Sequence, residues 1–228
     1  MTDRLNLLGV EVVQKSIVGD DRKRLSAVIS EALSRSELIL LSGGLGPTED
    51  DITRDAVASA LEKELQFDPQ IQQGIQERFL KMKRKMSENN KRQAFRIEGA
   101  IILPNDRGTA PGQWLAIGER IVVLLPGPPK ELKAMWEQQC HHRLAEQLPT
   151  QVIATSFYRV AGMGESELDQ LIAPIYSRYS NPVCTILAGP SDIQIHLRAR
   201  CDSAEEAGKL LAELAEQIEP LWETGSIL

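Results

Sequence analysis

The sequence predicts an α/β protein in which a larger domain with a mostly parallel sheet precedes a small α+β domain. The first half of the chain alternates strand-like and helix-like stretches, as parallel sheets with crossover helices do. Leu38-Ile39-Leu40-Leu41 is a continuous apolar run, which is typical of a strand covered on both faces. The pattern changes near Pro149-Thr150, so the predicted domains are 1–149 and 150–228.

Each element of the larger domain rests on a local pattern. The β-branched run from Val10 to Val18 predicts a strand, and the helical spacing of apolar residues that follows predicts a helix capped by Asp20 or Asp21. Further helices are predicted at about 52–61, at about 69–82 and from Pro129 onwards, and further strands at 100–103, 114–117 and 121–125. Strand–helix–strand units of this kind form right-handed crossovers.

The smaller domain is predicted to follow the order βαββα. A strand near 152–160 precedes a helix at about 166–179, and strands at 183–187 and 193–197 flank a turn at Gly189-Pro190-Ser191. Ser203 is placed to cap a last helix that carries one apolar stripe.

Composition excludes several classes of function. No apolar stretch approaches the ~20 residues of a membrane span, and no secretory leader pattern is present, so we expect a cytoplasmic protein with no membrane partner. A net charge of −6 makes nucleic acid an unfavourable partner, because such binding neutralises many phosphates at once. The three cysteines are odd in number and lack CxxC spacing, which predicts structural thiols.

A glycine-rich segment with an acidic end follows the strand at Leu41. Gly43, Gly44 and Gly46, together with Thr48, can present backbone N–H groups to a phosphate, although a simple tight turn is the alternative. Asp50 and its acidic neighbours then place carboxylates where phosphate oxygens would lie, which suggests a bridging divalent cation. The alternative is that they cap the following helix.

Three other segments supply candidate ligand contacts. Gly127, Pro128 and Lys130 form a rigid turn with a cation at the start of a helix. Asn90, Lys91 and Gln93 offer donors for ribose or phosphate, or decorate a solvated loop. The tight loop that contains Gly108 and Thr109 separates two strands, and the basic stretch 81–92 either binds a small anion or is a solvated helix end.

Four motifs together resemble the CinA family in their order and spacing. They are Ser42–Asp51, Glu88–Gln93, Gly108–Gly112 and Leu125–Leu132. The first alone would indicate the broader molybdopterin-binding domain, whereas the combination is much more specific. Val160–Ser166 and the helix after Asp202 resemble the family's KH-like middle module, so the likeness covers nearly the whole chain.

This resemblance implies a three-layer, Rossmann-like molybdopterin-binding domain that hydrolyses ADP-ribose to AMP and ribose 5-phosphate. It implies a divalent metal such as Mg²⁺, with K⁺ as a further candidate cation, and a homodimer. In the mechanism that the loops predict for this activity, the catalytic residues are Asp50, Asp51 and Lys130, and Asp50 or Asp51 also helps to bind the metal. The implied substrate-binding residues are Gly43, Gly44, Gly46, Thr48, Asn90, Lys91, Gln93, Gly108, Thr109, Gly127 and Pro128.

The resemblance also raises alternatives. Family members usually open with a further strand and loop before the helix that ends near Leu8, so we expect a central strand and part of the pocket to be missing, with a loss of stability. Many members also carry a carboxyl-terminal nicotinamide-nucleotide amidase domain, so a further alternative is a fragment of such an amidase that lacks this domain, and we expect deamidation not to reside in the chain. The competing functions are a binding module for molybdopterin or a nucleotide without turnover, and RNA binding, which is weakened because Gly162-Met163-Gly164 is not a GxxG clamp.

Overall fold

The computed structural model describes residues 1–148, 151–189 and 192–223. They form two compact units: Ser16–Arg143 is one, and Met1–Lys15 together with the chain from Leu144 onwards is the other. The boundary predicted at 149/150 falls on two residues outside the described ranges and stays a prediction. Within those ranges, no helix combines the length and the apolar character that crossing a membrane requires.

The unit 16–143 alternates helices and strands as predicted. Its elements are α2 (Arg22–Arg35), β1 (Leu38–Ser42), α3 (Thr53–Ala60), β2 (Leu65–Phe67), α4 (Pro69–Lys81), a 3₁₀ helix (Glu88–Ala94), β3 (Phe95–Ile97), β4 (Ile101–Leu103), β5 (Gly112–Ile117), β6 (Arg120–Leu125) and α5 (Pro129–Met135). A π-helical turn (Trp136–Cys140) and α6 (His141–Gln147) follow α5, and α1 (Thr2–Asn6) precedes them all.

Four of these strands form one mixed sheet in the order β1-β6-β5-β4. β1 runs parallel to β6, and β5 is antiparallel to both of its neighbours. β1, β4 and β6 therefore share one direction and only β5 opposes them, so the prediction of mostly parallel strands is confirmed. Since β1 and β6 are adjacent and parallel, their last residues, Ser42 and Leu125, lie side by side.

Helices cover both faces of this sheet. Successive side chains of a strand point to opposite faces, and Val122 and Leu124 belong to the same buried cluster as Ile29 of α2. On the other face, a side chain at Gly112 would overlap Met135 of α5. This two-sided burial explains why the run Leu38–Leu41 is apolar at every position.

The strand predicted over Val10–Val18 is wrong. The segment is irregular, with Val13 70% exposed and Ile17 fully exposed. β-branched residues favour an extended backbone, but a strand also needs a neighbour that completes its hydrogen bonds. No strand among the described residues pairs with this segment. The helix predicted next is confirmed, and the Asp21 side chain caps it by accepting the N–H of Arg24 at 2.8 Å.

The second unit contains the predicted βαββα order. Its elements are β7 (Val152–Val160), α7 (Glu165–Tyr176), β8 (Val183–Ala188), β9 (Ile193–Cys201) and α8 (Ala204–Glu223). The antiparallel sheet has the order β7-β9-β8. Alternate residues of β9, such as Ile195 and Leu197, pack in one buried cluster with Leu168 of α7 and Leu214 of α8. The turn predicted at 189–191 includes two residues outside the described ranges.

All three cysteines are free thiols, as predicted. Burial raises the pKa of Cys140 to about 12 and the pKa of Cys184 to about 11. A thiol with such a pKa is protonated near neutral pH and is a poor nucleophile. Cys140 and Cys184 therefore contribute to packing rather than to nucleophilic chemistry.

Candidate functional site

The four sequence motifs become four loops of the unit 16–143. We name them the glycine loop (43–51), the 3₁₀ loop (87–94), the asparagine loop (104–111) and the proline loop (126–131), the last of which includes the first turn of α5. Between them they carry every residue predicted for the site.

The glycine loop and the proline loop meet because they leave adjacent parallel strands at the same edge of the sheet. The Gly43 N–H donates to the Leu125 carbonyl oxygen at 3.0 Å, which extends the β1–β6 pairing by one hydrogen bond. A Cβ at Gly127 would lie 3.3 Å from the Gly43 Cα, so the two glycines are in close backbone contact. In doubly wound folds, ligands bind at the carboxyl ends of such strands.

A buried arginine supports the glycine loop through hydrogen bonds to two of its carbonyl oxygens. Arg54, in the first turn of α3, is 3% exposed, and its guanidinium donates to the Leu45 oxygen at 2.6 Å and the Gly46 oxygen at 3.1 Å. Burial lowers the pKa of Arg54, an effect that Asp55 and Asp51 oppose. Sequence reasoning missed this residue, although its place on the apolar face of the predicted helix was a signal.

Asp51 closes the glycine loop on itself. Its Oδ2 accepts the Thr48 N–H at 2.9 Å and the Thr48 hydroxyl at 2.5 Å. Burial alone would raise the pKa of Asp51, but the hydrogen bonds from Thr48 and Gly46 and the charge of Arg54 together lower it. The alternative role that the sequence offered, capping of the following helix, is wrong for Asp51, because Ile52 is the N-cap of α3 and no side chain among the described residues caps that helix; the carboxylate instead caps the glycine loop through its bonds to Thr48. The side chain of Asp50, by contrast, is exposed.

Two of the three loop glycines are required by packing inside the loop. Gly44 has φ +68°, and a Cβ there would overlap the hydroxyl of Thr53, which donates to the Gly43 oxygen at 2.8 Å. A Cβ at Gly46 would overlap the carboxylate of Asp51. The tight-turn interpretation therefore accounts for both positions, while Gly43 faces the proline loop.

The amides of the 3₁₀ loop are buried and bind one another. The Asn90 Oδ1 accepts the Ser87 N–H at 3.1 Å, and its Nδ2 donates to the Gln93 Oε1 at 3.3 Å. The Gln93 Nε2 then donates to the Thr109 Oγ1 at 3.2 Å, which ties the 3₁₀ loop to the asparagine loop. These predicted ligand contacts serve the protein's own structure.

The basic residues of the 3₁₀ loop are paired with acidic side chains. Lys91 lies 2.6 Å from the Glu88 carboxylate within the same loop. Arg92 forms an ion pair with Glu49, which connects the 3₁₀ loop to the glycine loop.

The asparagine loop is organised by Asn105, which sequence reasoning missed. Its Oδ1 accepts the Gly108 N–H at 2.8 Å, an Asx-type turn. Its Nδ2 donates to the Glu131 Oε2 at 2.8 Å and so joins this loop to the proline loop. A side chain at Gly108 would overlap that Glu131 carboxylate, which explains the glycine. The signal was the Asn-x-x-Gly spacing.

These contacts close into a ring. The glycine loop contacts the 3₁₀ loop through Glu49 and Arg92, the 3₁₀ loop contacts the asparagine loop through Gln93 and Thr109, and the asparagine loop contacts the proline loop through Asn105 and Glu131. The proline loop returns to the glycine loop at Gly127 and Gly43. The structure thus brings all the predicted site segments together.

Only part of this ring is open to a ligand. Gly127, Pro128, Lys130 and Asp50 are exposed, and no ion pair of Lys130 is found among the described residues. Within the same ranges, neither Gly44 nor Gly127 donates its backbone N–H to another group. A cation and two unused amide donors at one sheet edge can hold an anion. No group of three His, Cys, Asp or Glu side chains that could hold a metal ion occurs in the described part of the chain.

Two family models match the chain. Residues 1–146 match the one described as "Probable molybdopterin binding domain", and residues 155–222 match the one described as "Damage-inducible protein CinA KH domain". The first match defines the class of domain to which the four-loop ring belongs, namely a molybdopterin-binding-like α/β domain. The second match covers the βαββα unit.

Comparison with related proteins narrows the assignment from a class of domain to a protein family. A CinA-like protein of Solibacter usitatus is 59% identical over 97% of this chain and 53% of its own length, and one of Koribacter versatilis is 47% identical over 96% and 54%. A crystal structure of CinA from Thermoplasma acidophilum is 30% identical, with a TM-score of 0.55 over 59% of this chain and 79% of that one. The chain belongs to the CinA family, and it spans about half the length of these curated relatives.

Proposed function

We propose that the four-loop ring binds the diphosphate of ADP-ribose and hydrolyses it to AMP and ribose 5-phosphate. The observation that carries the proposal is the closed ring itself, which leaves Lys130 and the amides of Gly44 and Gly127 available at the carboxyl edge of β1 and β6. A diphosphate has several charged oxygens within a short span, and it can accept hydrogen bonds from an ammonium and from backbone amides together.

In this mechanism, the residues of the ring bind the substrate and stabilise charge. Water adds to one phosphorus and releases its protons to the solvent, the bond from that phosphorus to the bridging oxygen breaks, and the bridging oxygen leaves on the second phosphate. Lys130 stabilises the negative charge that develops on the phosphate oxygens. The amides of Gly44 and Gly127 bind the diphosphate. Arg54 and Asp51 hold the glycine loop, and with it the Gly44 amide, in one conformation.

The acidic residues fit a divalent metal only with help from the substrate. Mg²⁺ is commonly bound through one or two carboxylates together with substrate phosphates and water. Asp50 offers an exposed carboxylate, whereas one oxygen of Asp51 already accepts two hydrogen bonds from Thr48. We therefore assign metal binding to Asp50 and loop capping to Asp51. A bound Mg²⁺ would polarise a phosphoryl oxygen and lower the pKa of a coordinated water.

The test is release of AMP and ribose 5-phosphate from ADP-ribose, measured by chromatography with Mg²⁺, with K⁺, with both, and with a chelator. Asp50→Asn is expected to lower Mg²⁺-dependent turnover by about tenfold or more. Asp20→Asn is the matched control, since it removes the same charge from an exposed position outside the four loops. Absence of AMP release by the wild-type chain under every cation condition would overturn the proposal. A thermal shift with ADP-ribose but no product would instead indicate binding without turnover.

A further inference from the structure

A second feature of the unit 16–143 is a cavity of about 650 Å³ between α4 and the segment from β4 through the asparagine loop. Ligand pockets for small molecules commonly have volumes of ~300–1,000 Å³. Ile71, Ile75, Ile102 and Pro111 supply apolar wall, so the cavity can bury the faces of a planar ring.

The polar lining is centred on Arg78. Its Nε is buried and has no hydrogen-bond partner among the described residues. A buried donor without a partner is unfavourable, and an acceptor on a ligand would satisfy it. Arg96, which also lines the cavity, lies 3.6 Å from the Asp68 carboxylate. Arg78 is therefore a cation that a ligand can engage, and the exposed Lys81 lines the same cavity.

Gly74 widens the cavity. It lies in the middle of α4, where glycine is less favourable than alanine. A Cβ built at this position meets no atom within 4 Å, and its backbone φ lies outside the left-handed region. Neither close packing nor backbone conformation requires the glycine, and its effect is to leave the helix wall open where it lines the cavity.

The cavity and the four-loop ring share one wall. Asn105, Gly108 and Thr109 line the cavity. Asn105 and Thr109 make the hydrogen bonds that join the asparagine loop to its neighbours in the ring, and Gly108 donates to Asn105 within the loop. A ligand that spans this loop can place a charged part on the ring and an uncharged ring system in the cavity.

We infer that this cavity receives the nucleoside half of the nucleotide whose diphosphate lies on the four-loop ring, an inference that rests on the proposed function. The base packs against the isoleucines, and a base nitrogen or carbonyl accepts a hydrogen bond from Arg78. The ribose hydroxyls donate to Asp106 and Glu77, two exposed carboxylates that line the same cavity. Substrates are then selected as diphosphates that bear a nucleoside.

Gly74→Leu fills the cavity without altering the ring. Gly208→Leu is the matched control, since Gly208 lies within α8 of the other unit and a Cβ there also meets no atom within 4 Å. Binding of adenosine, AMP and inorganic pyrophosphate is measured by calorimetry on the full chain. We expect Gly74→Leu to weaken adenosine and AMP about tenfold or more and to leave pyrophosphate unchanged. Arg78→Met should weaken adenosine by about tenfold as well.

The inference is overturned if the wild-type chain binds neither adenosine nor AMP, if Gly74→Leu binds adenosine normally, or if it loses pyrophosphate to the same extent. Failure of the proposed hydrolysis gives a different result from failure of the nucleoside cavity. A chain that never releases AMP from ADP-ribose, yet loses adenosine on Gly74→Leu, has the nucleoside cavity without the hydrolysis. A chain that releases AMP equally well with and without the added leucine has the hydrolysis without the cavity.

Discussion

The glycine loop and the proline loop lie at the same sheet edge but use their residues in opposite ways. In the glycine loop, Arg54 binds two carbonyls, Asp51 binds Thr48, and Thr53 occupies the space beside Gly44. In the proline loop, Gly127 and Lys130 are exposed. The comparison teaches that two glycine-rich motifs of similar appearance can divide the work: the glycine loop is held rigid while it offers the Gly44 amide and the Asp50 carboxylate, and the proline loop is the more exposed contact surface.

The largest effect on stability is expected from removing the support beneath the glycine loop. Arg54→Met should lower the free energy of unfolding by about 3 kcal/mol, because two carbonyls of the loop lose a charged donor. Arg22→Met is the control, since Arg22 is exposed and lies 3.3 Å from Asp55 in a surface ion pair. Urea unfolding measures both variants. Equal small losses would mean that the loop does not depend on its buried guanidinium.

A pair of glycine substitutions compares the two loops directly. Gly44→Ala should cost about 2 kcal/mol, because the residue has a positive φ and its Cβ would overlap Thr53. Gly127→Ala should cost only about 0.5 kcal/mol, since its nearest neighbour is the Gly43 Cα at 3.3 Å. Melting temperatures and nucleotide affinity are measured for both. If Gly127→Ala keeps full nucleotide affinity, the proline loop is not the contact surface.

A smaller effect follows from the cap at Asp51, and it depends on pH. The folded-state pKa of Asp51 is lowered from 3.8, so its contribution to stability is complete above that value and is lost as the pH falls through the folded-state pKa. Wild type should therefore exceed Asp51→Asn in unfolding free energy near pH 7, and the difference should shrink as the pH falls below 3.8. A difference that stays constant with pH would contradict the capping role. Asp50→Asn serves as the exposed control.

The smallest effect on stability is expected at Lys130. Lys130→Gln should leave the melting temperature unchanged, because an exposed side chain contributes little to folding. It should lower ADP-ribose hydrolysis by about tenfold or more if the ammonium stabilises the transition state. Lys133→Gln, which removes an exposed lysine from the same helix, is the control. Equal activity in the two variants would remove Lys130 from the site.

The sequence predicted most of the fold, because apolar spacing and capping residues are local signals. The helix after Asp21, the buried strand at Leu38 and the βαββα unit all rest on such signals and are confirmed. The strand at Val10–Val18 was wrong because local preference specifies only an extended backbone. Strand pairing depends on a second strand that is often distant in sequence, and the composition of the first strand does not reveal whether that partner exists.

The sequence predicted the location of the candidate site but not the hydrogen bonds within it. The motifs located the loops, yet Asn90 and Gln93 turned out to bind each other, and Gln93 also binds Thr109. Asn105 and Glu131 were missed because their hydrogen bond joins residues 26 positions apart. Polar side chains suited to a ligand are equally suited to neighbouring loops, and only the tertiary structure distinguishes the two uses.

Closure of the four-loop ring determines how the stability costs of two substitutions in it combine. A loop in a closed circuit is tethered on two sides, so loss of one tether leaves it anchored by the other. Removing both contacts of the same loop, for example the Arg92–Glu49 ion pair and the Gln93–Thr109 hydrogen bond, leaves that loop without either of its side-chain contacts in the ring. Paired substitutions that flank one loop should therefore cost more than the sum of the single ones, whereas pairs that cut only one tether should not. Redundancy of this kind lets the surface of the site vary in sequence while its geometry persists.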